Sequence, residues 1–99
     1  EFAGRVHIKE MAGATVKMVT ESVQAFVDSD EMLAEKVIAS DDLVDQLFDK
    51  VKEELVELIC QKSIDVVIAL DLLMTAKYFE RIGDHAVNIA ENVRDFAAE

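Results

Sequence analysis

The chain has 99 residues, 52% of them apolar, with three Gly, one Cys and no Pro. That length makes a single domain, residues 1–99, burying roughly two thirds of the unfolded surface, and so few turn formers argue against any strand-and-turn fold. A net charge of -11 with no basic patch argues against nucleic acid or anionic lipid as partners.

The first helix is expected from about Gly4 to Val27. Ile8, Met11, Thr15, Met18, Val19, Ser22, Val23 and Phe26 recur at three- and four-residue steps, the mark of one buried stripe. Gly13, in mid-helix, costs about 1 kcal/mol relative to Ala and reads as a point of close helix packing. Asp28-Ser-Asp30 is the first break, and Asp28 with Glu31 reads as a capping box opening the second helix. The stripe of that helix is Leu33, Val37, Asp41, Val44, Phe48, Val51, Leu55 and Leu58, so Asp41 stands where the pattern wants an apolar residue. Ser40-Asp41-Asp42 offers a second cap, but the stripe keeps its phase across it, which favours one continuous helix. Cys60, among Leu58, Ile59 and Ile64, reads as a small core residue; a lone Cys forms no internal disulfide and suits a reducing compartment.

Gln61-Lys-Ser63 is the second break, with Ser63 or Asp65 as cap. The third helix runs to about Phe96 on a stripe of Ile68, Leu72, Thr75, Phe79, Ile82, Ala86, Ile89, Val93 and Phe96. The most apolar run, Val66 to Met74, is interrupted by Asp71 and too short to span a bilayer; with no signal peptide, the expected location is cytoplasmic. Three long helices on short turns predict an all-α, antiparallel up-down-up bundle. The sequence shows no internal repeat and no low-complexity segment.

Glu80 and Asp84 lie four residues apart, hence on one helix face with about 6 Å between Cβ atoms. Asp41 and Asp45 share that spacing on the preceding helix. With an antiparallel turn between Lys62 and Ser63, residues equidistant from it face each other, which sets Asp45 level with Glu80 and Asp41 level with Asp84. Such a group asks for a cation, yet three readings stay open. The acids are ordinary solvated side chains, or they pair with bases, Lys17 opposite Asp41 and Arg81 beside Glu80, or they bind metal. As ligands they are hard oxygens, suited to magnesium, manganese, calcium or ferric iron, with zinc less expected. Asn88 reads as a polar boundary residue and His85 as a surface residue, while nothing in the sequence around His7 assigns it a role. There is no Glu-x-x-His pair of the di-iron oxidases, no Ser/His/Asp set, no Gly-rich phosphate loop and no Cys-x-x-Cys, so the chain does not read as an enzyme.

The string Glu80-Arg-Ile-Gly-Asp-His-Ala-Val-Asn-Ile-Ala-Glu91, with Ala34 to Val51 upstream, resembles the PhoU family of phosphate-transport regulatory proteins. The likeness covers nearly the whole chain. It implies a three-helix PhoU domain whose acid pairs, Asp41 with Asp45 and Glu80 with Asp84, hold a multinuclear metal cluster, with iron first and zinc, magnesium or manganese as alternatives. It also implies a non-enzymatic adaptor that couples the ATPase subunit of a phosphate ABC transporter to a sensor histidine kinase and represses phosphate-starvation signalling. Typical members carry two such bundles in tandem. This chain holds one, most like the second, so a fragment or the cytoplasmic PhoU-like domain of a sodium/phosphate symporter is an alternative expectation, and homodimerisation would replace the missing bundle. A purely structural helical interaction module is the remaining alternative. The apolar excess from Val66 to Leu73 is a candidate partner surface, weighed against burial in its own bundle.

Overall fold

The computed structural model describes residues 7–98. Three helices account for nearly all of them: α1 (Ile8–Asp28), α2 (Glu31–Cys60) and α3 (Val66–Ala98). They pack as the expected all-α, up-down-up three-helix bundle, 55 × 17 × 16 Å, and each helix contacts both others. The expected start of the first helix at Gly4 lies outside the described residues.

The turns are built by local backbone chemistry. Ser29 ends α1 in the left-handed region at φ 51, and its N–H donates to the carbonyls of Ala25 and Phe26. Asp30 is extended, and its Oδ1 accepts from the Leu33 N–H at 3.0 Å, so Asp30 caps α2. The capping box expected at Asp28 is thereby corrected. Asp28 still belongs to α1, where Gln24 holds its carboxylate at 2.5 Å, because the chain needs one left-handed residue after it before turning. Lys62 plays the part of Ser29 at the second turn, with φ 57. Asp65, one of the two expected caps, accepts from the Val67 N–H at 2.7 Å. The alternative break at Ser40 does not occur, since its hydroxyl donates to the Lys36 carbonyl inside an unbroken α2.

The core runs the length of the bundle through Ile8, Met11, Met18 and Ala25 of α1, and Val37, Val44, Val51 and Leu55 of α2. Buried Thr15 and Ser22 satisfy their hydroxyls on the Met11 and Val19 carbonyls. Of the expected α3 stripe, Ala86 and Val93 are buried and Leu72 and Phe79 pack against the core, but Ile68, Ile82 and Phe96 are exposed, and Ala69, Ala76, Gly83 and Ala90 complete the inner seam. Small residues at seven-residue steps let α3 lie close to both neighbours, and its larger apolar side chains spread to the flanks. Val23 and Phe26 of α1 are likewise exposed rather than core.

Two further expectations fail. Cys60 is exposed, because it follows Leu58, the last buried residue of α2, on the outward side. Gly13 is not a close-packing point: a Cβ there would meet nothing within 4 Å. Gly83 faces the core instead, where a Cβ would touch Met18 Sδ and Val44 Cγ1 at 3.7 Å, ordinary van der Waals distance.

Candidate functional site

The four acids sit on the α2–α3 seam. Asp41 replaces an apolar residue in the α2 stripe and is half-buried between Val37 and Val44, both fully buried. Its Oδ1 is inaccessible to water and has no hydrogen-bond partner. Asp45, one turn on, is exposed at the rim. From α3, Glu80 leans into the seam and Asp84 stands exposed one turn further along.

The register is the one the turn demands. Among charges, Asp84 acts most strongly on Asp41, and Asp41 and then Glu80 act most strongly on Asp45. Burial is the main cause that raises the Asp41 carboxyl above the ordinary carboxylate value; the charges of Asp84, Asp42, Glu80 and Glu91 add to it. Asp45 is raised in the same way, by desolvation first and then by Asp41 and Glu80. A carboxyl raised for these reasons is a group whose charge the fold does not accommodate well.

One cation answers them in part. Lys77 Nζ lies 2.6 Å from Glu80 Oε1 and 5.1 Å from the centroid of the Phe48 ring. The hydrogen bond to Glu80, and then the charge of Glu80, raise the Lys77 pKa. The bases expected from sequence are not the partners. Among the described residues no ion pair joins Lys17 to Asp41 or Arg81 to Glu80; at the α1–α2 level Lys36 instead meets Glu21 at 3.0 Å. Lys17 lies on α1, whereas Asp41 faces α3, so equal height along the bundle does not bring them together. Among the described residues, no three His, Cys, Asp or Glu side chains stand close enough to hold one ion as they are placed.

Lys77 and Glu91 are the participants sequence reading missed. Lys77 is three residues before Glu80, the spacing of a helical ion pair, and Glu91 ends the string that marks the site. His85 and Asn88 are exposed, as expected. His7, to which the sequence assigned no role, has a partner: its N–H donates to Glu54 Oε1 at 2.9 Å, and its Nδ1 lies 2.7 Å from Glu54 Oε2. That contact joins residues 47 apart in sequence, which no local pattern reveals. In the Val66–Leu73 run, Val66, Val67, Ile68 and Leu70 are exposed, Ala69 is buried, and Leu72 and Leu73 pack against the core. Among the described residues, no helix is long and apolar enough to cross a membrane.

A family model described as PhoU domain matches residues 8–93. The chain is similar to the phosphate-specific transport system accessory protein PhoU homolog 1 of Thermotoga maritima, with 37% identity over 86 residues, covering 87% of this chain and 37% of that protein. It is similar to the protein of the same name in Methanothermobacter thermautotrophicus, 31% identical over 84 residues, or 85% of this chain and 38% of the relative. The PhoU homolog of Pseudomonas aeruginosa is 34% identical over 90 residues, 91% of this chain and 37% of its own length. The chain thus spans little more than a third of the length of these curated relatives. No solved structure gives a significant match.

Proposed function

This chain belongs to the PhoU domain family, and from that membership we propose that it is a metal-binding, non-catalytic regulatory adaptor of phosphate uptake in the cytoplasm. Its relatives are named as accessory proteins of phosphate-specific transport. The adaptor's partners on this reading are the ATPase subunit of a phosphate ABC transporter and a sensor histidine kinase. Asp41, Asp45, Glu80 and Asp84 are its metal ligands.

The observation that supports the ligand role is the Asp41 carboxylate, with Oδ1 shielded from water and unpartnered while other acids crowd it. A buried carboxylate oxygen without a donor costs about 1–3 kcal/mol, and a cation between α2 and α3 removes that cost together with the repulsion. All-oxygen ligands suit iron in its ferric form, manganese or magnesium, with zinc as a weaker match. To hold an ion, Asp41, Asp45, Glu80 and Asp84 would have to close around it, and the ion would compete with Lys77 for Glu80. Because the ion would bridge two helices, binding raises the stability of the bundle by mass action.

The test is elemental analysis after dialysis against a defined metal mixture, on the wild type and on Asp45→Ala/Glu80→Ala. Stoichiometric metal in the wild type, absent from the double variant, is the expected result. Equal trace metal in both would overturn the ligand role. The chain would then be a helical interaction module, the reading that the Lys77–Glu80 ion pair favours.

A further inference from the structure

Among the described residues, Lys77 is the cation paired with the acidic level, and we propose that it is a tethered counter-ion. Its ammonium occupies that level while no metal is bound, and its charge sets how tightly the level takes one. The inference rests on the ligand role proposed above for Asp41, Asp45, Glu80 and Asp84, and gives a fifth side chain control over their affinity.

Both helices of the seam place the ammonium. On α3, Lys77 precedes Glu80 by three residues, so one helical turn brings its Nζ to 2.6 Å from Glu80 Oε1. On α2, Phe48 stands three residues after Asp45, and its ring centroid lies 5.1 Å from the same Nζ, within the range of a cation–π contact. The ammonium therefore bridges α2 and α3 at the height of Glu80. The Glu80 side chain is 17% exposed and that of Lys77 58%. A charged tip on a long, solvated stem can swing away without disturbing the packing beneath it.

Lys77 answers the acids only in part. Its single charge stands against four carboxylates, and among the described residues its hydrogen bond goes to Glu80 and not to Asp41 or Asp84. Asp41 Oδ1 stays shielded and unpartnered. A metal ion of higher charge is shared by several carboxylate oxygens at once, so it supplies what Lys77 leaves unmet and forfeits one exposed ion pair. Such a pair is a weak competitor that shifts binding by roughly fivefold at most. Lys77 thus lowers metal affinity without abolishing it. Once the ion takes Glu80, the Phe48 ring face retains the released ammonium beside the site. Lys52, 6.0 Å from the same ring, is paired with none of the four acids among the described residues. It separates an effect of contact from one of net charge.

Manganese(II) titration of the 99-residue chain, followed by the electron paramagnetic resonance signal of the free ion, tests the proposal. The chains compared are wild type, Lys77→Met, Lys77→Arg and Lys52→Met, each with its helical circular dichroism checked. Methionine is close to lysine in length and brings neither charge nor a hard oxygen. The expected result is a dissociation constant about three- to fivefold lower in Lys77→Met, and not lowered in Lys77→Arg or Lys52→Met. At equal manganese, the rise in thermal midpoint should be larger in Lys77→Met than in wild type. Equal or weaker binding by Lys77→Met is what a side chain that merely positions Glu80 would give. That result, or equal tightening in Lys52→Met, overturns the proposal and leaves the ligand role standing. Manganese taken up by neither wild type nor Lys77→Met overturns both.

Discussion

On the α2 side of α3, Glu80 and Asp84 meet Asp41 and Asp45, with Lys77 as the one close cation described there. On the α1 side, Phe79 and Ile82 share a hollow with Val16 and Val19, and Ile89 shares the next with Val23. Phe79 and Glu80 are neighbours in sequence, yet a rotation of about 100° per residue sends them to opposite seams. One helix thus borders two unlike interfaces on a shared inner line of Ala69, Ala76, Gly83 and Ala90. The inner line supplies cohesion and is common to both. The flanks differ in what they lack: the acidic flank is short of positive charge, and the apolar flank is short of cover. Each deficit points to something the isolated chain does not itself provide.

The comparison can be broken where the seams join. Met18 is fully buried and, with Val44, faces Gly83 across the bundle. Met18→Ala should destabilise the fold by about 2–5 kcal/mol, the usual cost of such a core truncation, read from urea unfolding. Metal uptake should then weaken with it, since the acidic level rests on α3 holding its place.

A smaller change outside both seams provides the control. Gly13 lies in mid-helix with open space where a Cβ would stand. Gly13→Ala should stabilise the chain by up to about 1 kcal/mol, seen as a higher thermal midpoint, while metal content stays unchanged. A loss of stability would mean that something occupies that space.

The smallest expected effect sharpens the acidic seam alone. Asp41 and Asp45 have folded pKa values above their ordinary ones. The folded state therefore binds their protons more tightly than the unfolded state, and their contribution to stability falls as pH rises through the raised values. In metal-free protein these two groups favour the fold most below the ordinary carboxylate pKa and oppose it at neutral pH. Asp41→Asn should accordingly raise metal-free stability at pH 7 by about 0.5 kcal/mol, the scale of one like-charge helical contact, and flatten the pH dependence. Thermal melts of both chains at pH 4 and pH 7 would show it; a destabilised, equally pH-dependent variant would contradict it.

The register of the acid pairs was legible because it depends only on helix period and turn position. Asp41–Asp84 and Asp45–Glu80 follow once the second turn is placed near Lys62. The partners of those acids were not legible, because a shared level along the bundle does not say which way a side chain points around its helix. Lys17 has the right height for Asp41 and the wrong azimuth. Lys77 has both for Glu80.

Composition, turn chemistry and the three- and four-residue spacing of apolar residues sufficed for an all-α bundle of three helices and for the placement of its acidic level. These are local quantities, written in propensities and in a helical period that every segment carries by itself. Which apolar residues fill the core was decided by tertiary packing. Hydrophobicity nominated Ala86 and Val93, which are buried, but also Ile68, Ile82 and Phe96, which are not; three helices approach closely only where α3 is narrow, and so Ala69, Ala76, Gly83 and Ala90 took the inside. The exposed flank that this leaves on α3 exists only once the bundle has closed.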